Sequence, residues 1–267
     1  MARSQNRIAI SIVMQMRFCF VFFLSLCTGF LFGQNTNVLM EEGLRLEREF
    51  KLEEALKNYE EILKTEPNHL QALIHASRMT SNIAGHIKDK EKRREKLVVA
   101  ENYAKRSIKL NPKSPDAHFS LVVTLGLQSE IAPSAREKVK DAKLLRAEAE
   151  KIIEVDPNYA LGYFVLGKWH YEVSKLNWFE RTACDLFFGG FPENVSMEEA
   201  IKNFNKATAL DPNQIIILYG HASVLHYEGD DKEAIKVLEK AINLPIREPD
   251  DAFRKEKCKE LIAEIKK

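Results

Sequence analysis

The sequence predicts an all-α fold in which paired helices stack into a solenoid. After residue 40 the chain is dominated by Ala, Glu, Lys and Leu, and all 267 residues include only 11 Gly and 9 Pro. This composition favours helix throughout. A second observation is that the spacing A-x3-[YFL]-x7-P recurs, the third copy being one residue shorter: Ala55, Tyr59 and Pro67; Ala200, Phe204 and Pro212; Ala234, Leu238 and Pro245.

This spacing is typical of the second helix of a tetratricopeptide (TPR) repeat. Its small residue lets two helices touch, its aromatic residue fills the gap, and its proline ends the helix. The five prolines that would end the units follow one another at intervals of 45, 45, 55 and 33 residues: Pro67, Pro112, Pro157, Pro212 and Pro245. Since a plain repeat has about 34 residues, the second to fourth units carry insertions. We therefore expect about five helix pairs.

Each unit has two predicted helices. In chain order they are Val38–Phe50 and Leu52–Thr65, Leu70–Ala84 and Leu97–Leu110, Pro115–Gln128 and Ala135–Val155, Ala160–Ser174 and Met197–Leu210, and Ile215–Tyr227 and Lys232–Leu244. The charged stretch Lys88–Lys96 has no apolar residue and predicts a solvated helix extension or a loop. Ser196, followed three residues later by Glu199, predicts a capping box. Asp250–Lys267 predicts a helix that covers the last apolar face.

The first 33 residues differ from the rest of the chain. Three arginines and no acidic residue accompany the 16-residue apolar run Phe18–Gly33, which is shorter than the roughly 20 residues of a membrane-spanning helix. This pattern is typical of an export signal. We expect 1–33 to be a signal peptide cleaved near Gln34 or, alternatively, a membrane anchor, 34–248 to be the solenoid and 249–267 the C-terminal capping helix. A start at Met16 also remains open.

Charge and cysteine content restrict the partners and the compartment. The 40 basic and 39 acidic residues nearly balance, so we expect no nucleic-acid partner, which would need a clustered basic excess. Beyond the N-terminal segment only Cys184 and Cys258 remain, and buried thiols are favoured over a single disulfide bridge. After cleavage we expect a periplasmic or secreted protein, with a membrane-anchored protein as the alternative.

Motifs of catalysis and metal binding were sought among the seven histidines and in the glycine-rich stretches. The chain has no H-E-x-x-H, P-loop or G-x-S-x-G pattern, so we expect no enzyme, cofactor or metal. His221 falls at a predicted core position. An enzymatic alternative would place a site around His170 and Glu172.

The insertion Lys175–Pro192 concentrates large apolar residues, namely Leu176, Trp178, Phe179, Leu186, Phe187, Phe188 and Phe191. Large exposed apolar patches are rare on monomers. We therefore expect this segment to fold onto the first helix of the fourth unit as a small core, and contact with a partner is the alternative.

Three sequence features of the fourth unit resemble the regulator of microtubule dynamics family. They are the Leu-Gly-Lys-Trp run that begins at Leu166, the Trp-Phe-Glu-Arg run at Trp178, and the Phe-Gly-Gly-Phe-Pro turn at Phe188. The similarity extends over residues 70–248. It implies a TPR-like fold and, from the eukaryotic members, microtubule association and in some cases organelle-membrane contact. Together with the N-terminal segment it suggests an exported bacterial relative.

The first helix of each unit is expected to line a concave groove. The repeat register assigns to this groove His75, Arg78, Asn82, Phe119, Val123, Phe164, Lys168, Tyr171, Glu172, Tyr219, Ser223, His226 and Tyr227. Such a mixed aromatic and polar lining suits an extended peptide or a partner helix, and Lys168 with Arg78 would orient an acidic group. We expect a non-enzymatic scaffold that binds a protein or peptide in this groove, with a microtubule-associated regulator as the alternative. Membrane contact is expected only through the N-terminal segment, if it is retained.

Overall fold

The computed structural model describes residues 35–191 and 194–267, and within these ranges it contains twelve α-helices and no strand. The predicted signal peptide or anchor, 1–33, lies outside the described residues. In chain order the helices are α1 (35–48), α2 (Leu52–Thr65), α3 (Leu70–Gly85), α4 (Lys90–Leu110), α5 (Pro115–Glu130), α6 (Ala135–Val155), α7 (Ala160–Ser174), α8 (Trp178–Phe188), α9 (Met197–Leu210), α10 (Ile215–Tyr227), α11 (Asp231–Asn243) and α12 (Asp251–Ile265).

The repeat motif accounts for how the helices pair. Tyr59 and Phe204 are 0% and 1% exposed, and each ring lies against a glycine of the preceding helix of its pair. A Cβ atom on Gly43 would lie 2.6 Å from the Tyr59 ring, and one on Gly167 would lie 3.1 Å from the Phe204 ring and 3.2 Å from the Ala200 carbonyl oxygen. The close approach of paired helices that the motif predicts is therefore confirmed.

A side chain caps the first turn of α3, α4, α5, α6, α8, α9 and α11. Asp89 accepts hydrogen bonds from the backbone N–H groups of Glu91 and Lys92 at 3.0 and 3.1 Å. Because a cap precedes a run of good helix formers, the charged stretch is an extension of α4 rather than a loop.

Several predicted helix bounds differ from the structure by one or two residues, and at two helix ends the predicted local signal itself differs. The sequence extends α1 to Phe50, but Phe50 adopts φ 60° in the left-handed region and lies beyond the end of the helix. Ser196 caps α9 by accepting from Glu199 N at 3.1 Å, yet the Glu199 carboxylate binds Lys202 at 2.9 Å. Only the serine half of the predicted capping box therefore forms.

The helices stack in the order of the repeats. The first helices α3 and α5 pack on each other, as do α7 and α10, and α12 packs against both α10 and α11. Cys258 on α12 is fully buried in that contact. Cys184 is also buried, and both thiols are free, which confirms the expectation of buried thiols. Among the described helices, none is both long and apolar enough to cross a membrane.

The insertion forms only part of the small core that the sequence suggests, because Leu176, Phe188 and Phe191 are half-buried while the other four large apolar residues are exposed. Its central part is α8, on which Trp178, Phe179, Leu186 and Phe187 are 70%, 76%, 72% and 74% exposed. These residues lie on one face together with Thr182 and Ala183, at spacings of four and eight residues. We call this face the exposed stripe. Cys184 packs inward and is buried, and of the predicted core residues Phe191 contacts α7, its ring lying 5.8 Å from that of Trp169.

Candidate functional site

The predicted groove residues lie on the row of first helices, which we call the inner surface (α1, α3, α5, α7 and α10). Nine of them are half-buried there: His75, Arg78, Asn82, Phe119, Val123, Tyr171, Tyr219, Ser223 and His226. Three are exposed: Lys168, Glu172 and Tyr227. Phe164 is different, because it is 7% exposed and its ring packs edge-on against Phe204 at 6.0 Å. It belongs to the core, since the inner and outer helices of the fourth unit touch at this position.

At the N-terminal end of the inner surface, three side chains from different helices form a hydrogen-bonded group. The Tyr59 hydroxyl donates to Glu47 Oε1 at 2.7 Å, and His75 Nδ1 lies 2.7 Å from the same oxygen. The Tyr59 and His75 rings stack at 5.1 Å. Burial would raise the pKa of the Glu47 carboxyl, but the bonds from His75 and Tyr59 and the charge of Arg78 outweigh it, so the pKa is lowered. His75 is thus held in place within the fold.

Arg78 lies at the centre of this half of the inner surface. Its charge acts on Glu47 of α1, on Tyr159 at the start of α7 and on Glu248 before α12. The curvature is visible in a direct contact: Asp250, before α12, lies 3.6 Å from His86 at the end of α3, so distant units approach each other and the inner surface is concave here. The Arg78 side chain makes no hydrogen bond or ion pair with another described residue. Its guanidinium is available to an acidic group.

The segment that joins α11 to α12 also reaches the inner surface, a contact that the sequence did not predict. The buried Asp251 accepts from the backbone N–H groups of Arg247 and Glu248, both at 2.9 Å, and so fixes a tight turn. Asp250 then lies 3.6 Å from His86 at the end of α3. Glu248 is exposed, and partial desolvation by neighbouring groups raises the pKa of its carboxyl. No periodic signal in the sequence marks such a contact between distant turns.

At the C-terminal end, the inner surface carries an exposed aromatic pair. The rings of Tyr171 on α7 and Tyr227 on α10 meet edge to face at 5.7 Å, and Tyr227 is 54% exposed. Lys175 Nζ lies 4.4 Å above the Tyr171 ring. Lys168, one turn before Tyr171, is exposed. This end therefore combines aromatic area with positive charge.

Two other predicted groove residues are used within the fold. His226 Nδ1 lies 2.5 Å from Asp231 Oδ1, and Ser223 donates to the Tyr219 carbonyl at 2.9 Å. In the middle of the surface the Phe119 ring lies 5.8 Å from Tyr159, whose hydroxyl donates to Asp116 at 2.8 Å. These contacts stabilise the inner surface and leave fewer groups for a partner.

The histidines outside the inner surface are structural. The buried His118 places Nδ1 at 2.5 Å from Glu148 and Nε2 at 2.9 Å from the Pro112 carbonyl, and the Glu148 bond raises its pKa. His221 is buried as predicted, stacks on Phe204 and lies 3.0 Å from the Thr208 hydroxyl. Burial lowers the pKa of His221.

The two residues of the enzymatic alternative, His170 and Glu172, do not form a common site. His170 is 2% exposed, inside the core, while Glu172 is exposed and pairs with Lys175 at 3.8 Å. The two side chains therefore do not meet on one surface. Within the described ranges, no group of three or more His, Cys, Asp or Glu side chains is placed to hold a metal ion.

Comparisons with known proteins agree with this fold. Residues 39–266 match the family "Regulator of microtubule dynamics protein 1-3". Regulator of microtubule dynamics protein 1 of Bos taurus is 28% identical over 163 residues, which cover 61% of the chain and 50% of that protein. Protein 2 of Rattus norvegicus is 25% identical over 229 residues, covering 85% of the chain and 54% of that protein. The chain thus spans about half the length of these curated relatives.

A solved structure is also similar. The crystal structure of a thermophilic TPR protein of Thermus thermophilus matches with a TM-score of 0.63 at 15% identity, over 84% of the chain and 99% of that protein. At this identity the likeness shows the fold alone, and it confirms the predicted TPR-like helical solenoid.

Proposed function

Because the chain belongs to the regulator of microtubule dynamics family, we propose that it is a non-enzymatic scaffold that binds a segment of a protein partner on its inner surface. The observation that carries this proposal is Arg78, a half-buried cation in a concave surface that makes no ion pair with a described residue. TPR-like solenoids present such concave surfaces for binding.

The inner surface offers two different contacts to such a segment. Arg78 would bind a carboxylate, for which the planar guanidinium provides paired donors. The Tyr171–Tyr227 pair would receive an apolar or aromatic side chain, because aromatic rings supply contact area with few rotatable bonds. We expect the bound segment to combine an acidic residue with an apolar anchor.

Peptide display against the full chain tests this proposal. Selected peptides should bind the wild-type chain and lose about tenfold or more in affinity to Arg78→Gln and to Tyr227→Ala, since such contacts are worth more than about 1 kcal/mol at the centre of an interface. Lys57→Gln, on the exposed side of the outer helix α2, is the matched control and should bind as wild type. Peptides that bind all three variants equally would contradict the proposal.

The microtubule-associated alternative rests on the names of the relatives, each of which is called a regulator of microtubule dynamics. Co-sedimentation of the full chain with taxol-stabilised microtubules tests it directly. Saturable binding that Arg78→Gln weakens and Lys57→Gln does not would favour this alternative. A chain that stays in the supernatant at all microtubule concentrations would exclude it.

For the compartment, we propose export with removal of the N-terminal segment. The support is the run Phe18–Gly33, which follows three arginines and has the order of charged and apolar regions of an export signal. Intact mass of the natively expressed protein, combined with fractionation, is the test. A soluble species that begins near Gln34 is the expected result, and an uncleaved species in the membrane fraction would support an anchored solenoid instead.

A further inference from the structure

The exposed stripe of α8 is an apolar surface that the solenoid does not cover. It presents Trp178, Phe179, Leu186 and Phe187 at 70–76% exposure on a helix of 11 residues. No charged residue interrupts it, since Thr182 and Ala183 occupy the two positions between. A contiguous apolar patch of this kind marks a protein or membrane contact.

The stripe is exposed because α8 is held by its opposite face and by both ends. Asn177 and Glu180 form a complete capping box at the start of the helix, and Gly189 adopts φ 72° at its end. The Arg181 guanidinium donates to the carbonyl oxygens of Val173 and Ser174 at 3.2 and 3.4 Å. Lys143 donates to the Phe188 carbonyl at 2.7 Å. The helix therefore has one fixed orientation, with the apolar side chains outward.

We propose that the exposed stripe docks the protein onto an anionic lipid surface. A short helix with Trp, Phe and Leu on one face lies in the interface of a bilayer, with its apolar side chains among the lipid headgroups and upper acyl chains. The stripe is a convex ridge on one helix. A ridge inserts into a lipid surface directly, whereas a protein partner would need a matching groove.

Charges of both signs lie next to the stripe: Glu180 and Asp185 are exposed along its two edges on α8, and the basic residues lie on the neighbouring helix α6. Arg136, Lys140 and Lys143 follow one another on one face of α6 at spacings of four and three residues, and Lys143 contacts the end of α8. Arg136 and Lys140 are exposed, and we call these three residues the basic rim. Basic residues beside an apolar helix face add electrostatic attraction to anionic lipids.

The sequence provides a second link to a membrane. The apolar run Phe18–Gly33 ends directly before α1. A retained anchor would hold the chain at a bilayer, and a cleaved signal would carry the chain across one. The proposed docking differs from either because it uses the folded domain itself.

Tryptophan fluorescence of the full chain tests the proposal at the site itself. The chain has two tryptophans; Trp169 is 5% exposed and Trp178 is 70% exposed. Vesicles of phosphatidylcholine with phosphatidylglycerol should shift the emission to the blue, and brominated acyl chains should quench it. Vesicles of phosphatidylcholine alone should cause a much smaller blue shift and much less quenching. Trp178→Phe keeps the apolar surface, removes the reporter and should abolish both signals.

Variants separate the stripe from any effect of the N-terminal segment, which is common to all of them. Leu186→Ser with Phe187→Ser keeps Trp178 and should reduce partitioning about tenfold or more, given the transfer free energy of two large apolar side chains. Arg136→Glu with Lys140→Glu should weaken binding to anionic vesicles only. Leu110→Ser, at an exposed apolar position at the end of α4, is the matched control and should bind as wild type.

Three results would overturn the proposal. One is the absence of a blue shift and of quenching with either lipid mixture. Another is equal binding of the serine double variant and the wild type. The third is self-association in sedimentation velocity that the same double variant abolishes, which would assign the stripe to a second copy of the chain.

Discussion

Two helices that follow α7 in the same unit have opposite environments. On α9, Phe204 is 1% exposed and packs against Gly167, whereas on α8, Phe187 is 74% exposed. Both helices have a side-chain cap at the first turn, from Ser196 and Asn177. Local signals therefore form both helices, but they do not determine what each helix buries.

The two helices differ in burial because α7 offers a close-fitting surface to α9. Gly167 and the fully buried Ala200 let α7 and α9 approach until the Phe204 ring fills the gap. On α8 the small residues Thr182 and Ala183 are half-buried and lie between the exposed large residues of the stripe, so the small positions of this helix are not matched to a buried aromatic ring. Apolar content alone predicts burial, and the spacing of small and large residues decides where burial occurs.

Truncation after Leu244 should have the largest effect, because it turns a covered face into an exposed one. It removes α12, whose fully buried Cys258 and neighbours Leu261, Ile262 and Ile265 cover α10 and α11. We expect aggregation of the truncated chain in size-exclusion chromatography. A monodisperse truncated protein would show that a solenoid end tolerates exposure as α8 does.

Phe204→Ala and Phe187→Ala compare the same change in the two environments. Removal of the buried ring should lower the free energy of unfolding by about 3–5 kcal/mol. Removal of the exposed ring should change it by less than about 0.5 kcal/mol. Urea unfolding monitored by circular dichroism measures both, and equal destabilisation would mean that the stripe is buried in solution.

Gly167→Leu and Gly126→Leu compare a tight and an open glycine. A side chain at Gly167 would meet Phe204 and the Ala200 carbonyl, while a Cβ at Gly126 has nothing within 4 Å. We expect Gly167→Leu to cost about 1–3 kcal/mol or more by overpacking. Gly126→Leu should be neutral or stabilising by up to about 1 kcal/mol, because leucine favours helix over glycine. A native melting temperature for Gly167→Leu would contradict the helix register.

The smallest expected effect is a pH dependence within the buried region. The pKa of His118 is raised from its ordinary 6.5 by the bond to Glu148, so its contribution is present below that ordinary value and is lost as pH rises through the folded value. The pKa of His221 is lowered by burial, so its contribution is lost as pH falls below the ordinary value. Thermal melts of the wild type and of Glu148→Gln should be compared at a series of pH values around 6.5. The variant should lose the fall in melting temperature on the neutral-to-alkaline side and keep the fall on the acidic side. An unchanged pH profile would contradict the His118–Glu148 interaction.

Much of the fold was predictable because it repeats. The bounds of α2, α6, α7, α9 and α10 agree with the predicted helices, since proline stops and the small–aromatic spacing are local signals. The surfaces were harder to predict from the sequence, because they depend on contacts between units. Phe164 was assigned to the groove from its register but is buried against Phe204. The approach of Asp250 to His86 depends on the curvature of the whole solenoid.

Hydrogen–deuterium exchange of the full chain, followed by mass spectrometry, tests the contrast between α8 and α9 most directly. Amides of α9 should exchange slowly, with the protection of a core helix, and amides of α8 should exchange much faster, because few contacts cover them. Adding vesicles that contain phosphatidylglycerol should slow the amide exchange of α8 and leave that of α9 unchanged. Protection of α8 equal to that of α9 in the absence of lipid would contradict the account, since the exposed stripe would then be covered by the solenoid itself.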